Sequence, residues 1–271
     1  MKKLSRYFIS LLASVILINN TFGQNLKRDT TLFEEHQVIF EKMDYIPSER
    51  PVKLVRILNN DTAGIVVYSD PYWISSMVSN REYREYLKAI ELSPVHYQTA
   101  SPPNNIQSQQ IEGLDIPYAI YFNNSMYDNY PVLGISWQQT NIFCQWKTRQ
   151  VNAELKEANL PTEKDYRLPL SAEIEGAKHF TNINLPRAFK TDARYSDPDL
   201  IRFYSKISEW TAETFLEQTY LTELNFTEDA PNVVVYHKAS QETIPYKAKE
   251  SNDLSTGFRY VQTYRKVPNS K

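Results

Sequence analysis

The chain of 271 residues contains a single cysteine, Cys144, and so offers a single thiol for nucleophilic or redox chemistry. A thiol oxidase uses a thiolate together with a second cysteine, which resolves the intermediate or helps to bind a soft metal such as copper(I). Cys144 has no such partner and lies beside Phe143 and close to Trp146 in a segment of helical periodicity. These neighbours predict a buried, structural thiol with a raised pKa, and one cysteine excludes an intrachain disulfide.

Metal and cofactor chemistry is not indicated by the other residues. The four histidines, His36, His96, His179 and His237, are far apart in the sequence, and none forms the i, i+4 pair of a helical zinc site. No P-loop, G-x-S-x-G or dinucleotide-binding motif occurs, and the chain has six glycines in total. The sequence therefore predicts no metal site, no cofactor-binding site and no cofactor.

Two pairs of carboxylates have a spacing that could support general acid–base chemistry. Glu173 and Glu175 form one pair, and Glu209 and Glu213 form the other at i, i+4 spacing. Acid–base catalysis requires one carboxylate of such a pair to be desolvated and directed at a substrate. Spacing does not distinguish this arrangement from one in which arginines pair with the carboxylates, so both interpretations stay open at this point.

Aromatic residues are frequent, with 19 tyrosines, 12 phenylalanines and 4 tryptophans. The tyrosine-rich segments 118–122 and 127–130 are compatible with packing or with a binding surface, because exposed aromatic side chains are enriched at interfaces. We expect all of the tryptophans to pack in the core with their indole N–H groups hydrogen-bonded. They are Trp73, Trp137, Trp146 and Trp210.

Apolar periodicity predicts the strands that position these residues. Residues 52–58 alternate apolar and polar side chains, and residues 64–68 are rich in β-branched and aromatic side chains. This pattern indicates two antiparallel strands around an Asn-Asn-Asp turn. Further strands are predicted at residues 72–74, 232–236 and 258–264.

Helix starts are marked by serines. Ser79 is followed by Glu82, and Ser136 by Gln139, so each serine can form a capping box with the residue three positions later. The second of these helices carries the cysteine on its apolar face. A third helix is predicted over residues 171–177.

Long irregular stretches separate the helices. Residues 93–113 and 181–202 contain prolines and few regular apolar intervals, which predicts loops. The helices fall between groups of strands without regular β–α alternation, so we expect an α+β fold with an antiparallel sheet. We assign residues 24–50 to a polar lead-in segment and residues 51–267 to one domain.

Residues 1–23 are predicted to be a secretory signal peptide, with a basic start, an apolar run over residues 7–18 and small residues before position 24. A membrane-spanning helix needs about 20 apolar residues, so a retained anchor is the less favoured alternative. Cleavage removes three positive and no negative residues and changes the formal charge from −2 to −5. This charge offers no basic surface for nucleic acid or an anionic membrane. We expect the mature protein in the periplasm or cell envelope.

Five short segments occur in the same order as the motifs of one enzyme family. The family motifs are V-T-N-x-x-Y/F, P-V-V-G-V-S-W, R-L-P-T-E-A-E-W-E-Y-A, W-E-W-T and G-F-R. The corresponding segments here are 78–83, 131–137, 167–177, 208–211 and 257–259. On these segments the chain resembles the sulfatase-modifying factor (formylglycine-generating enzyme) family.

The resemblance implies the family's C-type-lectin-like α+β fold, in which antiparallel strands combine with a few helices and long loops. Oxidase members of the family use two cysteines near the C-terminus, and residues 210–271 contain none. The resemblance therefore favours a protein without this enzymatic activity, and no catalytic residue is assigned. It also implies that Glu173 braces the fold by accepting hydrogen bonds from the backbone or from Arg167 or Arg259.

A narrower resemblance concerns residues 127–132 and 143–152. They are similar to the phrases Y-D-x-Y-P-V-V-G-V and F-C-x-W-R-T-x-x-V-N of the family's branch in gliding-motility and type IX secretion lipoproteins. This resemblance implies a non-catalytic exported envelope protein that acts as a scaffold or interaction partner of other envelope proteins. Two alternatives stay open: a formylglycine-generating-type oxidoreductase, and a lectin-like module that binds a carbohydrate or peptide ligand.

Overall fold

The structure is a computed structural model, and it describes residues 43–46, 52–58, 61–67, 71–159, 165–180, 203–215, 232–236 and 246–263. All of them belong to the unit that spans residues 42–271. The predicted signal peptide lies outside the described residues, as do most of the predicted lead-in and the predicted loop 181–202. Among the described helices, none is both long enough and apolar enough to cross a membrane.

The described elements follow one another along the chain as strands and helices in mixed order. They are β1 (Met43–Ile46), β2 (Val52–Leu58), β3 (Asp61–Val67), β4 (Tyr72–Ser75), α1 (Asn80–Ile90), α2 (Pro94–Ala100), a 3-10 turn (Asn104–Ile106), β5 (Gln110–Ile111), β6 (Ile116–Pro117), α3 (Tyr118–Asn123), a second 3-10 turn (Ser125–Tyr127), α4 (Trp137–Glu157), β7 (Tyr166–Arg167), α5 (Ser171–Phe180), β8 (Ser208–Phe215), β9 (Asn232–Tyr236), β10 (Tyr246–Ala248), β11 (Thr256–Gly257) and β12 (Val261–Thr263).

Two four-stranded sheets organise the domain. The first has the strand order β1-β4-β12-β7 and is antiparallel throughout. The second has the order β10-β9-β8-β11, in which β8 runs antiparallel to β9 and parallel to β11. Two further pairs, β2-β3 and β5-β6, are antiparallel. Antiparallel strands with intervening helices confirm the predicted α+β class.

The predicted hairpin forms between β2 and β3. Its register pairs Leu58 with Asp61, so two residues separate the paired positions. The second strand therefore begins at Asp61, three residues before the predicted start at 64. A two-residue connection matches the twist of antiparallel strands, which explains why pairing continues this close to the turn.

The core of the first sheet lies along β4. All four residues of this strand are buried, as expected for a central strand that is covered on both faces. Helix α5 covers one face, where it contributes Ile174 and Ala177 to a cluster with apolar residues of three strands. Those residues are Ile46, Tyr72, Ile74 and Val261.

A second, aromatic core lies between α1, α4 and residues 258–260. The Phe143 ring is fully buried and stacks on Tyr83, with ring centroids 5.8 Å apart. It also contacts Phe258 edge-on at 5.3 Å. Aromatic pairs in these geometries stabilise a core beyond the area that they bury. This packing fixes α4, and with it the cysteine, against residues 258–260.

The two predicted capping boxes differ in the structure. At α4 the box is complete, because the Gln139 N–H donates to Ser136 Oγ at 3.3 Å and the Ser136 N–H donates to Gln139 Oε1 at 2.9 Å. At α1 the Glu82 N–H donates to Ser79 Oγ at 3.2 Å. The Glu82 carboxylate instead accepts from Tyr260 Oη at 3.2 Å and from a lysine of α4. At α1 the serine therefore caps the helix as predicted, while the Glu82 side chain makes tertiary contacts in place of the second hydrogen bond of the box.

Two predictions about irregular and extended structure were wrong. Residues 93–113 were predicted as a loop but contain α2, whose first residue is Pro94. Proline at the first helical position lacks only an N–H that would have no helical partner, and its fixed φ suits a helix start. Residues 258–264 were predicted as one strand, but within the described residues 258–263 the strand of the first sheet is limited to Val261–Thr263. Gly257 pairs with β8, so residues 258–260 cross between the sheets.

Candidate functional site

The single thiol is part of the core. Cys144 lies on α4 with 2% of its surface exposed. Burial raises the pKa of this thiol far above its usual value, because a thiolate is poorly solvated in apolar surroundings. The predicted burial and the predicted direction of the pKa shift are confirmed. A neutral, enclosed thiol does not provide the exposed thiolate that cysteine chemistry requires.

Exchange of Cys144 for serine is expected to lower the free energy of unfolding by about 1–3 kcal/mol, because a hydroxyl replaces a weakly polar thiol in an apolar site. Cys144→Ala, which adds no polar group, is the matched control, and denaturant unfolding measures both. We expect Cys144→Ser to leave any cellular phenotype intact once the protein is folded. A folded, stable Cys144→Ser protein that had lost its cellular function would show that the thiol has a chemical role.

The histidines are not brought together by the part of the chain that is described. His96 lies exposed on α2. His36 and His237 lie outside the described residues, and His179 falls at the end of α5, where only the backbone is described. Among the described side chains, no three His, Cys, Asp or Glu residues are grouped so that they could hold a metal ion.

Glu173 has the bracing role that the family resemblance implied. Its carboxylate accepts from Arg167 Nη1 at 2.8 Å and Nη2 at 2.7 Å, the two-pronged geometry that an arginine fork favours. It also accepts from the Leu170 N–H at 2.7 Å. The carboxylate is buried, so its oxygens are committed to the turn that leads from β7 into α5. The arginine that binds Glu173 is thus Arg167, whereas Arg259 has another partner.

Arg259 forms an ion pair with Glu209, and both side chains are 0% exposed. Arg259 Nη2 donates to Glu209 Oε1 at 2.9 Å, and Nε donates to the other carboxylate oxygen. Arg259 Nη1 also donates to the backbone oxygen of Ser75 at 3.3 Å. Because Glu209 belongs to β8 and Ser75 to β4, this guanidinium links the two sheets.

The remaining carboxylates are bound as well. Glu213 accepts from the Ser171 N–H at 2.9 Å and from the Ser171 hydroxyl, at the positive end of α5. Tyr236 Oη donates to Glu175. Glu209 and Glu213 are on strand β8, which has a register shift between Trp210 and Thr214. The described contacts therefore assign all four predicted carboxylates to bracing the fold.

Of the four tryptophans expected in the core, Trp73 and Trp210 are buried, whereas Trp137 and Trp146 are only half-buried. Trp210 is 0% exposed, and its Nε1 donates to the Ile135 oxygen at 2.8 Å. Trp137 Nε1 donates to the Thr211 oxygen at 2.7 Å. Trp73 is buried in β4, and Trp146 is half-buried against aromatic residues of α1 and α4.

The tyrosine-rich segments divide between core and surface. Tyr118 and Tyr121 are 0% exposed, and their hydroxyls donate to the Leu133 and Pro131 oxygens, so of the two interpretations left open by the sequence, packing applies to these tyrosines. Tyrosines are retained in a core when the hydroxyl finds a partner in this way. The exposed apolar side chains of residues 118–130 are instead Ile120, at 47%, and Met126, at 74%.

We call residues 118–130 the aromatic surface, because it contains the half-buried Tyr127 and Tyr130 as well as the two exposed apolar side chains. The two tyrosine rings pack edge to face at 5.2 Å, and Tyr130 also contacts Phe203 at 6.2 Å. Asp128 within this surface is bound by Arg81 at 2.9 Å and also by Arg84 of the same helix. Ring packing and the ion pairs hold the surface against the N-terminal end of α1.

A cleft of about 570 Å³ opens between α2, α4 and the turn after β10. Its floor is Gln139, which is buried and donates from Nε2 to the Thr99 and Ser101 oxygens at 3.0 and 2.9 Å. Asn252 Nδ2 donates to Gln139 Oε1 at 2.9 Å. We call it the amide cleft and define it by six of its lining residues. They are Tyr97, Pro102, Asn104, Gln138, Glu250 and Asn252.

Sequence reasoning missed the amide cleft because its walls come from three distant segments. The wall formed by residues 97–104 was predicted to be part of a loop, and the turn at 249–252 carries no recognisable motif. The only local signal was the capping box at Ser136, whose glutamine forms the floor.

A family model for sulfatase-modifying factor enzyme 1-like domains matches residues 55–259 of this chain. The chain belongs to this family. The match extends from β2 to Arg259 and so includes β4, the central strands β8 and β9 of the second sheet, the buried ion pairs and the amide cleft. The family and the fold predicted from the five short segments are thereby confirmed.

Three solved structures are similar to this sulfatase-modifying factor enzyme 1-like chain. PvdO from Pseudomonas aeruginosa is 13% identical, with a TM-score of 0.48 over 82% of this chain and 94% of that chain. Treponema denticola variable protein 1 is 13% identical, with a TM-score of 0.47 over 81% and 94%. CarF is 14% identical, with a TM-score of 0.43 over 83% and 98%. No curated protein sequence matches the chain.

Proposed function

We propose that this protein is a non-catalytic, exported component of the cell envelope that binds other envelope proteins in gliding motility or type IX secretion. The observation that carries the proposal is the burial of Cys144, the only cysteine of the chain, in a core that disfavours a thiolate. The oxidase chemistry of the family needs a reactive thiol pair, and this chain cannot supply one. The family scaffold therefore remains available for binding.

Partner binding is supported by the aromatic surface. Ile120 and Met126 expose large apolar side chains on adjoining elements, α3 and the 3-10 turn that contacts it. Methionine is enriched at protein interfaces because its flexible, polarisable side chain adapts to a partner. The ion pairs of Asp128 with Arg81 and Arg84 hold the surface in place, which limits the ordering that binding would otherwise require.

The location of the family-branch motif adds to this argument. Residues 127–132, which resemble a phrase of the gliding-motility and type IX secretion lipoproteins, overlap the aromatic surface. The motif begins directly after Met126, so the resemblance adjoins the exposed apolar side chains without including them. Export rests on the predicted signal peptide, and it is a premise of the proposal.

The experiment is affinity recovery of the tagged, full-length protein from the envelope fraction of its own host, followed by mass spectrometry. We expect gliding-motility or type IX secretion proteins to be recovered. The double variant Ile120→Asp, Met126→Asp is expected to lower their recovery at least about tenfold, because charges replace the apolar contacts of a hot spot.

Leu92→Asp is the matched control. Leu92 is 95% exposed and follows α1, whose first residue donates to the Tyr130 oxygen at 2.8 Å. An 11-residue helix is about 16 Å long, so Leu92 lies beyond the other end of α1 from the aromatic surface. Equal recovery with the double variant and the wild type, or recovery without any motility or secretion protein, would contradict the proposal. Conversion of a cysteine-containing sulfatase peptide by the purified protein would favour the oxidoreductase alternative instead.

A further inference from the structure

The amide cleft is preformed by a network that does not depend on a ligand. Gln139 uses both of its N–H groups on backbone oxygens, and its Oε1 accepts from Asn252 and from the Ser136 N–H. Asn252 Nδ2 also donates to the Gly134 oxygen at 2.9 Å. Two adjacent prolines, 102 and 103, stiffen the rim. A cleft whose walls are already fixed binds a ligand with a smaller loss of conformational entropy.

The groups that face the opening are polar but carry little charge. Gln138 Nε2 donates to Glu250 Oε1 at 3.1 Å, which places an amide and a carboxylate side by side on two different elements. Both side chains are exposed, as is that of Asn104. Glu250 is the one formally charged residue among those that line the cleft. Its carboxylate opposes phosphate, sulfate and other anionic ligands.

An aromatic residue completes the lining. Tyr97 of α2 is 42% exposed and lines the same cleft as Gln138 and Glu250. Carboxylate and amide oxygens accept hydrogen bonds from hydroxyl groups, and the amide N–H groups donate to them. An aromatic face next to such groups suits a molecule with one apolar face and an edge of hydroxyls. The volume falls in the range of about 300–1,000 Å³ that small-molecule sites occupy.

We propose that the amide cleft binds a neutral saccharide. A sugar ring packs its C–H face on Tyr97, while neighbouring hydroxyls bind the Gln138 amide and the Glu250 carboxylate. The lining residues belong to helices, a loop and a turn, and none of them offers a strand edge to which an extended peptide could add. The site shares no residue with the aromatic surface, so the saccharide and a protein partner do not compete for the same side chains.

The test uses the purified, full-length mature protein and three neutral probes: maltotriose, cellotriose and N,N′-diacetylchitobiose, each titrated to millimolar concentration by isothermal calorimetry. We expect saturable binding of at least one probe. Tyr97→Ala and Glu250→Gln are each expected to weaken that binding at least tenfold. Val95→Ala is the matched control, because Val95 is 74% exposed on the same helix and does not line the cleft.

Thermal unfolding of each variant separates a binding defect from a folding defect, and the exposure of Tyr97 and Glu250 predicts unchanged unfolding temperatures. Absence of saturable binding for all three saccharides would overturn the proposal. So would binding that Tyr97→Ala and Glu250→Gln leave intact, or a cysteine-containing peptide that binds more tightly and is weakened by the same two substitutions. The envelope recovery experiment tests Ile120 and Met126, whereas calorimetry tests Tyr97 and Glu250. A negative result in the first experiment therefore does not predict the result of the second.

Discussion

Replacement of Arg259 by methionine is expected to lower the free energy of unfolding by about 3–5 kcal/mol, the largest effect that we expect of any single charge change in this domain. The Arg259 and Glu209 side chains are both fully buried and bound to each other. Removal of the guanidinium leaves the Glu209 carboxylate without its cation in an interior where an unpaired charge is poorly solvated. It also removes the bond to the Ser75 oxygen, which links β8 to β4.

A double-mutant cycle with Glu209→Gln measures how far this cost arises from the pair. Each single substitution leaves one buried charge without its ion-pair partner, whereas Arg259→Met combined with Glu209→Gln removes both charges. We therefore expect the double variant to be destabilised by much less than the sum of the single effects. Arg81→Met is the matched control: Arg81 binds Asp128 but is 54% exposed, and exposed ion pairs contribute about 0–1 kcal/mol. Additive single effects in denaturant unfolding would contradict this assignment.

Truncation of Trp210 to alanine is expected to destabilise the protein by about 3–5 kcal/mol, because it opens a cavity in the core. Trp210 is fully buried in β8, and its indole N–H donates to the Ile135 oxygen at 2.8 Å. The substitution thus removes the packing of a large ring. It also removes the hydrogen bond from β8 to Ile135, which directly precedes the N-cap residue of α4. We expect low expression or an early thermal transition, whatever partner is present.

Trp210→Phe separates the two contributions. It keeps an aromatic ring but leaves the Ile135 oxygen without its donor, for which we expect a smaller loss of about 1–3 kcal/mol. Denaturant unfolding of both variants gives the comparison. A soluble Trp210→Ala protein with unchanged stability that had lost only the recovery of envelope proteins would identify Trp210 as part of a binding surface rather than of the core.

Each residue of the terminal G-F-R segment, residues 257–259, has a packing role in the structure. A Cβ atom on Gly257 would lie 2.5 Å from Met77 Cε and 3.2 Å from the Val132 oxygen, so a larger residue here would require the methionine side chain to move and the backbone at Val132 to shift slightly. Phe258 packs on Phe143 in the aromatic core, and Arg259 binds Glu209. The periodicity of apolar residues predicted one continuous strand over residues 258–264. Such a pattern shows which residues are apolar, but it does not show to which sheet each residue belongs.

Features that depend on local sequence were predicted from the sequence by itself. The β2-β3 hairpin follows from alternation around a polar turn, and the complete Ser136 capping box follows from two residues three positions apart. Burial of Cys144 follows from the apolar face of its helix, and the missing cysteine pair follows from composition. These features involve neighbours along the chain, whose geometry a helix or a strand already fixes.

Only the tertiary structure decided which distant residues meet. The sequence offered Glu173 two arginines: the turn from β7 into α5 brings Arg167 to it from only six residues away, whereas the packing of the two sheets brings Arg259 to Glu209 across 50 residues. The amide cleft likewise depends on packing that brings Tyr97 and Glu250 to the same opening across more than half of the domain's length. Such contacts arise from strand order and from the docking of helices on sheets, and one sequence contains no local periodicity that specifies them. Ion-pair partners and the candidate binding site were therefore set by the fold as a whole.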